Sequence, residues 1–376
     1  MQDVFVTKIH IGKVRHLHNV DIALSDTQRR HLILTGRNGS GKTSLLEAMR
    51  DFVLLRQQSE KHGKRINDSA ANYALSYRHF EQADIDISYS QRIPYFFDVT
   101  FAYVPAERSP LTIPNSIESI DIQGKTIITR NTSRDFLKYI LCLDYRLYGA
   151  KSDGNKMLET NIENWFNNFI SALRKIYDCE ALNLQRDTLN LAFKIDMPGR
   201  ESFRLHQMSD GYAAFLDIFM ELLIRFESDD AVVEYRRPAI VMIDEIETHL
   251  HVELQKRVLP FLTQMFPNVQ FIVSTHSPVV MTSLENAVVY DLENQEQLEN
   301  PSIYSYEAVV EGFLNVGQYS DEIKNTFIRY RALYGKERSD TENAEFQRLV
   351  SDLELVPPAS KELYLAFRSM EDRRKR

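Results

Sequence analysis

The stretch GRNGSGKT, residues 36–43, fits the phosphate-binding pattern G-x-x-x-x-G-K-[ST]. Its flanks support the pattern, because HLILT at residues 31–35 predicts a buried strand and SLLEAM at residues 44–49 consists of good helix formers. A strand, a glycine loop and a helix N-terminus let backbone N–H groups close on a polyphosphate. The sequence therefore predicts a nucleoside triphosphate site, with Lys42 reaching the β- and γ-phosphates and Thr43 holding Mg²⁺.

Two further apolar runs end in polar residues that suit the same site. Residues 239–243, AIVMI, predict a buried strand that leads directly into Asp244 and Glu245. An aspartate at such a strand end can serve Mg²⁺, and the adjacent glutamate can polarise an attacking water. The run at residues 269–273 ends in STHSP, so we expect His276 beside the acids, in contact with the γ-phosphate or its attacking water.

The composition indicates a globular chain of ordinary character. Of the 376 residues, 43% are hydrophobic and 26% are charged. The formal net charge of −8 argues against a surface that is basic all over, so contact with nucleic acid would need a local patch. Cys142 and Cys179 form no C-x-x-C pair and suggest neither zinc nor a disulfide. Without a signal-peptide pattern or a bilayer-spanning apolar run, we expect a cytoplasmic protein with no membrane contact.

The predicted organisation is an α/β head followed by a helical extension. The head takes residues 1–300, with a helical lobe inserted at about 130–235, and the extension takes residues 301–376. The predicted helices of the extension are separated by Gly335 and by the proline pair at 357–358. They cover about 319–333, 341–354 and 359–374.

The N-terminal segment predicts an antiparallel strand pair that leads into the glycine loop. The two strands cover residues 4–11 and about 18–24, with a turn at Gly12. Arg15 falls between them and has two interpretations: it points toward the nucleotide, or it is a solvated turn residue.

Two further segments leave their roles open. Glu107 and Arg108 follow a predicted strand at residues 96–104, on the side of the sheet that faces the ligand. They are either nucleotide or coupling residues, or partners in an ordinary loop salt bridge. The basic segment at residues 61–65, KHGKR, either touches a phosphate backbone such as that of DNA or is a solvated face.

Four motifs thus stand in order: the glycine loop, MSDG at residues 208–211, IDE at 243–245 and STHS at 274–277. Their order and spacing resemble the ABC-type ATPase head. Within it the chain looks most like the SMC/RecF and OLD-like branch, through the forms GRNGSGKT, DEIETHLH and STHSP, and it is similar to the AAA-family ATPases of bacterial anti-phage systems. The resemblance covers roughly residues 1–295. It implies an α/β P-loop NTPase fold with a mixed, largely parallel sheet, antiparallel N-terminal strands and an inserted helical lobe.

The resemblance also implies the cofactors ATP and Mg²⁺ and a set of residue roles. Glu245 resembles the catalytic base and His276 the switch histidine, while Lys42 supports catalysis at the phosphates. Thr43 and Asp244 would serve Mg²⁺. The residues implied to cradle the phosphates are Gly36, Arg37, Asn38, Gly39, Ser40, Gly41, Lys42, Thr43 and Ser44.

Ser209 and Gly211 resemble the signature motif, which caps the γ-phosphate of a partner subunit. A serine that opens a helix suits this role, because its hydroxyl and the free N–H groups favour an anion. One chain would then hold half of each of two sites. Two copies joined head to tail would trap two ATP molecules in a homodimer.

The chain departs from the family pattern in three ways, and these departures limit the functions that we expect. The signature reads Ser-Asp-Gly rather than Ser-Gly-Gly-Gln, no long heptad run is present, and no Toprim nuclease constellation follows the head. We therefore expect an ATP-driven dimerisation switch that controls a separate effector, such as a nuclease or toxin, or a grip on DNA. The alternatives are the nucleotide-binding subunit of a membrane transporter and an ATP-bound sensor with negligible turnover.

Overall fold

The computed structural model describes residues 4–63, 67, 70–72, 74–75, 83–93, 96, 99–108, 136–187, 192–227, 232–304, 309, 321–334 and 339–354. The chain divides into two compact units, Met1–Ile303 and Tyr304–Arg376. The helix predicted at about 359–374 and the last two residues of the basic segment at 61–65 lie outside the described residues.

Strands and helices are interspersed along the chain. Those of the first unit are β1 (Val6–Val14), β2 (Leu17–Ala23), β3 (His31–Thr35), α1 (Lys42–Lys61), β4 (Asp84–Tyr89), β5 (Thr100–Val104), α2 (Phe136–Asp153), α3 (Lys156–Tyr177), β6 (Asn183–Asp187), β7 (Ala192–Asp196), β8 (Phe203–Arg204), α4 (Asp210–Phe226), β9 (Ala239–Ile243), α5 (Val252–Met265), β10 (Val269–Ser274), α6 (Pro278–Met281), β11 (Ala287–Asp291) and β12 (Glu296–Glu299). The second unit contains α7 (Asp321–Leu333) and α8 (Asp340–Glu354).

A six-stranded sheet forms the centre of the first unit, in the order β12-β11-β3-β10-β9-β5. Five of its strands are parallel, and only the edge strand β12 is antiparallel to its neighbour. Every residue of the five parallel strands is buried, as expected when both faces of a parallel sheet are covered. The mixed, largely parallel sheet predicted from the sequence is confirmed.

A second sheet, β2-β1-β4, is antiparallel, which confirms the predicted N-terminal strands. The turn predicted at Gly12 is wrong, because Gly12 lies inside β1 at an irregularity in its pairing with β4. A Cβ at this position would lie 2.1 Å from Oδ2 of Asp84 on β4. The glycine thus permits a close approach within a strand, and the chain turns instead at Arg15, which has a φ of 52°.

Helix α1 packs in a core shared by the two sheets. Its Leu45 and Phe52 belong to one apolar cluster with Ile9 of the antiparallel sheet and with Leu32 and Leu34 of β3. The apolar pattern after the glycine loop predicts a helix that ends at about Gln57, and α1 runs on to Lys61. Because the side chain of Gln57 is buried and donates to the carbonyl of Phe96 at 3.0 Å, the apolar pattern alone underestimated the helix.

The inserted helical lobe is built on aromatic packing, as its periodicity predicted. Trp165 of α3 stacks on Phe169 at 5.3 Å between ring centroids and meets Tyr139 of α2 edge to face at 5.5 Å. The small antiparallel sheet β6-β7-β8 follows, with Phe193 of β7 5.7 Å from Phe166 of α3. The apolar run from Ala213 to about Phe226 predicts a helix, and α4 begins three residues earlier, at Asp210.

The second unit has an apolar cluster of its own. The predicted helices at about 319–333 and 341–354 are confirmed as α7 and α8. An exposed ion pair joins them, from Nε of Arg329 to Oε1 of Glu345 at 2.8 Å. The buried members of the cluster are Tyr330, Leu333, Phe346, Val350 and Leu353.

Candidate nucleotide-binding site

The carboxyl ends of neighbouring parallel strands bring the predicted motifs to one edge of the sheet. The pairing continues just past the strands: Thr275 N donates to Leu34 O at 3.0 Å, and Ile246 N donates to Ser274 O at 3.1 Å. The glycine loop, the acidic pair after β9 and the histidine after β10 are therefore neighbours. This is the side on which α/β sheets bind their ligands.

The glycine loop has a backbone that side chains would obstruct. Gly36, Gly39 and Gly41 all have positive φ angles, of 130°, 85° and 101°. A Cβ on Gly36 would lie 2.6 Å from Oγ of Ser40, and one on Gly41 would lie 2.9 Å from Cδ1 of Leu17. The loop thus keeps its backbone bare at the N-terminus of α1, which is what a polyphosphate cradle requires.

Lys42 lies folded over this loop. Its Nζ donates to the carbonyl oxygens of Gly36 at 2.8 Å and Arg37 at 3.0 Å. Burial lowers the pKa of the Lys42 ammonium, while the charges of Glu245 and Asp244 act in the opposite direction. The cation is held where phosphate oxygens would replace the two carbonyls as its partners. Thr43, the next residue, is exposed.

Ser274 organises the acidic pair, and sequence reasoning did not single it out. Its hydroxyl donates to Oδ1 of Asp244 at 2.5 Å and accepts the backbone N–H of Glu245 at 2.7 Å. One buried side chain at the end of β10 thus fixes an aspartate oxygen and the backbone of the glutamate at the end of β9. The sequence did carry one signal for this role: a serine ends one predicted strand, and another predicted strand ends in two acids.

The conformation of Glu245 is unusual for a residue with a side chain. Its φ is +43°, in the left-handed region that costs a non-glycine residue free energy. Its Oε2 accepts a hydrogen bond from Oγ1 of Thr248 at 3.2 Å. The strained backbone and the threonine together aim the carboxylate, which is a common arrangement at functional sites.

Glu247 positions the segment that carries the histidine. Its Oε1 accepts the backbone N–H of His276 at 2.5 Å, while the side chain of His276 is exposed. Ser277 is bonded as well, with its hydroxyl donating to Oε1 of Gln255 at 2.7 Å. The predicted histidine therefore lies beside the acidic loop, and Glu247 and Gln255 are supports that the sequence pattern did not reveal.

The Ser-Asp-Gly motif lies at the start of α4. Ser209 is exposed at the N-cap, and its side chain makes no capping hydrogen bond. Gly211 is buried against the loop that follows the acids, because a Cβ there would lie 3.2 Å from Cδ2 of His251 and 3.3 Å from the carbonyl oxygen of His249. Tyr212 stacks on Tyr177 of α3, with ring centroids 4.1 Å apart. The motif is thus fixed by packing on both sides, while the Ser209 hydroxyl faces outward.

Arg15 is more than a solvated turn residue. Its Nη1 donates to Oγ of Ser44 at 2.9 Å, and its Nη2 lies 3.6 Å from Oε2 of Glu47, so the guanidinium is tied to the first turns of α1. About half of the side chain remains exposed. The arginine therefore stands beside the glycine loop, on the side of the antiparallel sheet.

An open cleft of about 500 Å³ adjoins the glycine loop. One wall is the β1–β2 turn with His16 and His18, and the other is the turn after β11 with Glu293. Arg37 of the loop is tied to that second wall, because its N–H donates to Oε2 of Glu293 at 3.3 Å. The cleft is large enough for a nucleoside beside the phosphates. The remaining lining residues are Leu17, Arg37, Asn38, Gly39, Ser40, Leu292 and Gln295.

The residues present fit a magnesium ion shared with a phosphate chain. Magnesium usually keeps several waters and takes one or two protein oxygens beside substrate phosphates. Thr43 and Asp244 are the residues that would hold it, next to the bare backbone of the glycine loop. Within the described part of the chain, no group of three or more His, Cys, Asp or Glu side chains forms a metal cage.

Fold and site together define a P-loop nucleotide-binding domain. A family model described as "AAA domain" matches residues 8–193, and a second, described as "AAA domain, putative AbiEii toxin, Type IV TA system", matches residues 128–282. The two matches overlap and together span residues 8–282, and both descriptions name an AAA domain.

Two relatives match part of the chain. The Septu protein PtuA of Bacillus mycoides (strain KBAB4) is 25% identical over 320 residues, which cover 78% of this chain and 41% of that protein. The Retron Ec83 probable ATPase of Escherichia coli is 31% identical over 172 residues, which cover 43% of this chain and 31% of that protein. The chain thus spans less than half the length of these two relatives.

A solved structure of similar type is the Smc head bound to the C-winged helix domain of ScpA. It has a TM-score of 0.42 and 16% sequence identity, and the match covers 80% of this chain and all of that one. No helix among the described residues combines the length and the apolar character that crossing a bilayer requires.

Proposed function

We propose that this chain binds ATP and Mg²⁺ at the glycine loop, hydrolyses the ATP, and uses the nucleotide to join two copies head to tail. The cycle of joining and release controls a separate effector protein, such as a nuclease or a toxin, in defence against phage. The observation that carries the proposal is the convergence of Lys42, the Asp244–Glu245 pair and His276 at one edge of the parallel sheet.

The geometry suits hydrolysis of a terminal phosphate. Glu245 is the base that polarises the attacking water, and its carboxylate is oriented by Thr248 from 3.2 Å. Lys42 exchanges its two carbonyl partners for phosphate oxygens, while the bare backbone of the loop donates to the phosphate chain. Mg²⁺, when bound, neutralises charge on the phosphates. His276 stands beside the acids as the contact to the γ-phosphate or the water.

The head-to-tail arrangement rests on the position of the Ser-Asp-Gly motif. Its glycine packs on the loop of His249 and His251, which follows the acids of the same chain, and its serine hydroxyl faces outward. Val252, at the start of α5, is 62% exposed next to this loop and would be covered by a partner. A second copy, with its glycine loop facing this surface, would receive the Ser209 hydroxyl and the α4 N-terminus on its γ-phosphate.

The role in defence against phage is supported by the names of the relatives, a Septu protein and a retron ATPase. In this proposal the effector is a separate protein. Contact with DNA stays open as a second way in which the switch could act. Affinity purification from the native host with and without ATP, followed by mass spectrometry, identifies the partner.

Three variants test the nucleotide site. Lys42→Ala abolishes binding of a fluorescent ATP analogue, because the cradle loses its cation. Glu245→Gln keeps ATP bound, lowers turnover at least about a hundredfold and accumulates a dimer in size-exclusion chromatography. Glu285→Gln, an exposed acid in the loop before β11, is the matched control and leaves both readouts unchanged. Wild-type binding without turnover would identify the chain as a sensor, and a Glu245→Gln protein that stays monomeric with ATP would exclude the switch.

Mixing two inactive variants tests the shared site. Lys42→Ala destroys the glycine loop and Ser209→Arg blocks the signature, so each homodimer is inactive in the proposed arrangement. A heterodimer of the two has one intact site, built from the glycine loop of one chain and the serine of the other. Equal mixing therefore restores turnover to about a quarter of the wild-type rate, since half of the dimers carry one of two sites. If mixing restored no activity, each chain would complete its own site.

A further inference from the structure

The mechanism above gives no role to Arg108, a buried arginine at the acidic pair. Arg108 follows β5 and is 9% exposed. Its Nη2 donates to the backbone carbonyl oxygens of Asp244 at 2.9 Å and Glu245 at 3.1 Å, and its Nη1 donates to Pro105. The sequence left this residue open between a coupling role and an ordinary loop salt bridge. Its hydrogen bonds go to backbone carbonyls at the acidic pair, so a loop salt bridge does not describe it.

The guanidinium holds the peptide of the acidic pair from the side opposite to Ser274. Asp244 N also donates to Val104 O at 2.9 Å, so the backbone of Asp244 is bonded both to the end of β5 and to the arginine that follows it. Glu245 has its positive φ at this point, and a strained residue persists only when its surroundings over-determine it. Arg108 is therefore one of the groups that keep the carboxylate of Glu245 in place.

The signature helix packs against the strand that precedes Arg108 and carries a buried acid. Asp217 lies on α4 and is only 4% exposed, and α4 packs against β5. Burial lowers the pKa of the Arg108 guanidinium, and the strongest opposing charge is that of Asp217, ahead of those of Asp244, Glu247 and Glu245. Asp217 follows Ser209 by about two helical turns, or roughly 12 Å along the axis. A rigid helix transmits a shift over that length.

We propose that Arg108 is a positioning residue that links the Asp244–Glu245 peptide to helix α4, and so ties the acids of one site to the Ser-Asp-Gly motif of the same chain. This rests on the proposed function, because that motif would complete the site of the other copy. The link gives the two sites of a dimer a physical connection inside each chain. A shift of the acids on ATP binding would therefore also move the surface that binds the second copy.

Hydrogen exchange with and without ATP tests the link directly. In the wild type, ATP protects peptides of the glycine loop and also changes exchange at residues 205–216, at the start of α4. In Arg108→Gln the glycine loop is still protected and the change at 205–216 is lost. Arg174→Gln, which removes another guanidinium that donates to a backbone carbonyl, at Leu182, is the matched control and keeps both changes. An undiminished response at 205–216 in Arg108→Gln overturns the link.

Turnover and a double-mutant cycle separate this inference from the proposed function. Arg108→Gln lowers kcat about tenfold with ATP affinity within about twofold, because the variant misplaces Glu245 without touching the phosphate cradle. Loss of ATP affinity together with kcat would mean a structural role and overturn the assignment.

Denaturation midpoints of Arg108→Gln, Asp217→Asn and the double variant test the pair without nucleotide. Non-additive shifts support the link even if the chain does not hydrolyse ATP, and additive shifts overturn it.

Discussion

At the scale of the residue, the site is held by few side chains with several partners each. Ser274 serves both acids through one hydroxyl, and Glu247 holds the backbone of the segment that carries the histidine. In the proposed mechanism these two groups do not contact the nucleotide, and they position the acids and the histidine segment that do. Because the alignment of a reacting group matters at the level of ångströms, their loss affects turnover more than binding.

Ser274→Ala tests this at the acidic pair. The substitution removes the hydrogen bond to Asp244 and the acceptor for the Glu245 N–H, so we expect kcat to fall about tenfold with ATP affinity within about twofold. Steady-state turnover and a titration with a fluorescent ATP analogue give the two quantities. Ser283→Ala is the control, since that hydroxyl donates to Val280 O at 2.8 Å near α6. A kcat equal to that of the wild type would show that the acids hold their own positions.

At the scale of the element, the site depends on the pairing of the parallel strands β3 and β10. The ring of His31 at the start of β3 contributes to this pairing, because its Nδ1 accepts the N–H of Phe271 at 3.0 Å. His31 is 7% exposed, and burial, with a smaller contribution from the charge of Arg29, lowers its pKa to about 4. The ring stays neutral in the fold at pH values where an unfolded histidine takes up a proton.

This difference predicts a loss of stability in acid. The unfolded state binds a proton near pH 6.5 and the folded state near pH 4, so stability is full above pH 6.5 and falls as the pH drops toward 4. Between pH 7 and pH 5 the histidine removes about 2 kcal/mol from the free energy of unfolding.

Urea denaturation of the wild type and of His31→Asn at the two pH values measures this term. The asparagine oxygen takes the place of Nδ1 as acceptor and does not titrate. The wild type is therefore expected to lose about 2 kcal/mol more than the variant on acidification. Equal losses in the two proteins would mean that His31 titrates normally in the fold.

At the scale of the whole molecule, the chain consists of two compact units with separate apolar clusters. The glycine loop, the acids, His276 and the Ser-Asp-Gly motif all lie in Met1–Ile303, and α7 and α8 of the second unit pack on each other around Tyr330. We propose that the first unit is the nucleotide-binding head and that the second receives the effector.

Residues 1–303 alone are therefore expected to fold and to bind ATP with an affinity within about twofold of that of the full chain, because domains with their own core fold independently. Circular dichroism and nucleotide titration check this, with Lys42→Ala in the shortened chain as the control without binding. An insoluble product, or a large loss of affinity, would show that the second unit completes the head.

Much of the fold follows from local sequence. The buried strands at 31–35, 239–243 and 269–273 are uniform apolar runs, and parallel strands covered on both faces require that composition. The glycine loop and the acidic pair were predictable because their chemistry needs those residue types directly after such strands. The errors came where a residue type has two uses: Gly12 was assigned to a turn, and its actual role is to leave room for Asp84 across a strand pair.

What the sequence determined by itself is the set of strands, the glycine loop and the acids at strand ends, because each is encoded by neighbours in the chain. Only the tertiary structure placed Ser274 and Arg108 on the acidic loop, across separations of 29 and of 136 or 137 residues, and bonded Glu247 of that loop to His276, 29 residues away. The sequence does not indicate which distant backbone group a hydroxyl, a carboxylate or a guanidinium will bind. The order of the strands decides that, since it sets which loop ends meet at the edge of the sheet.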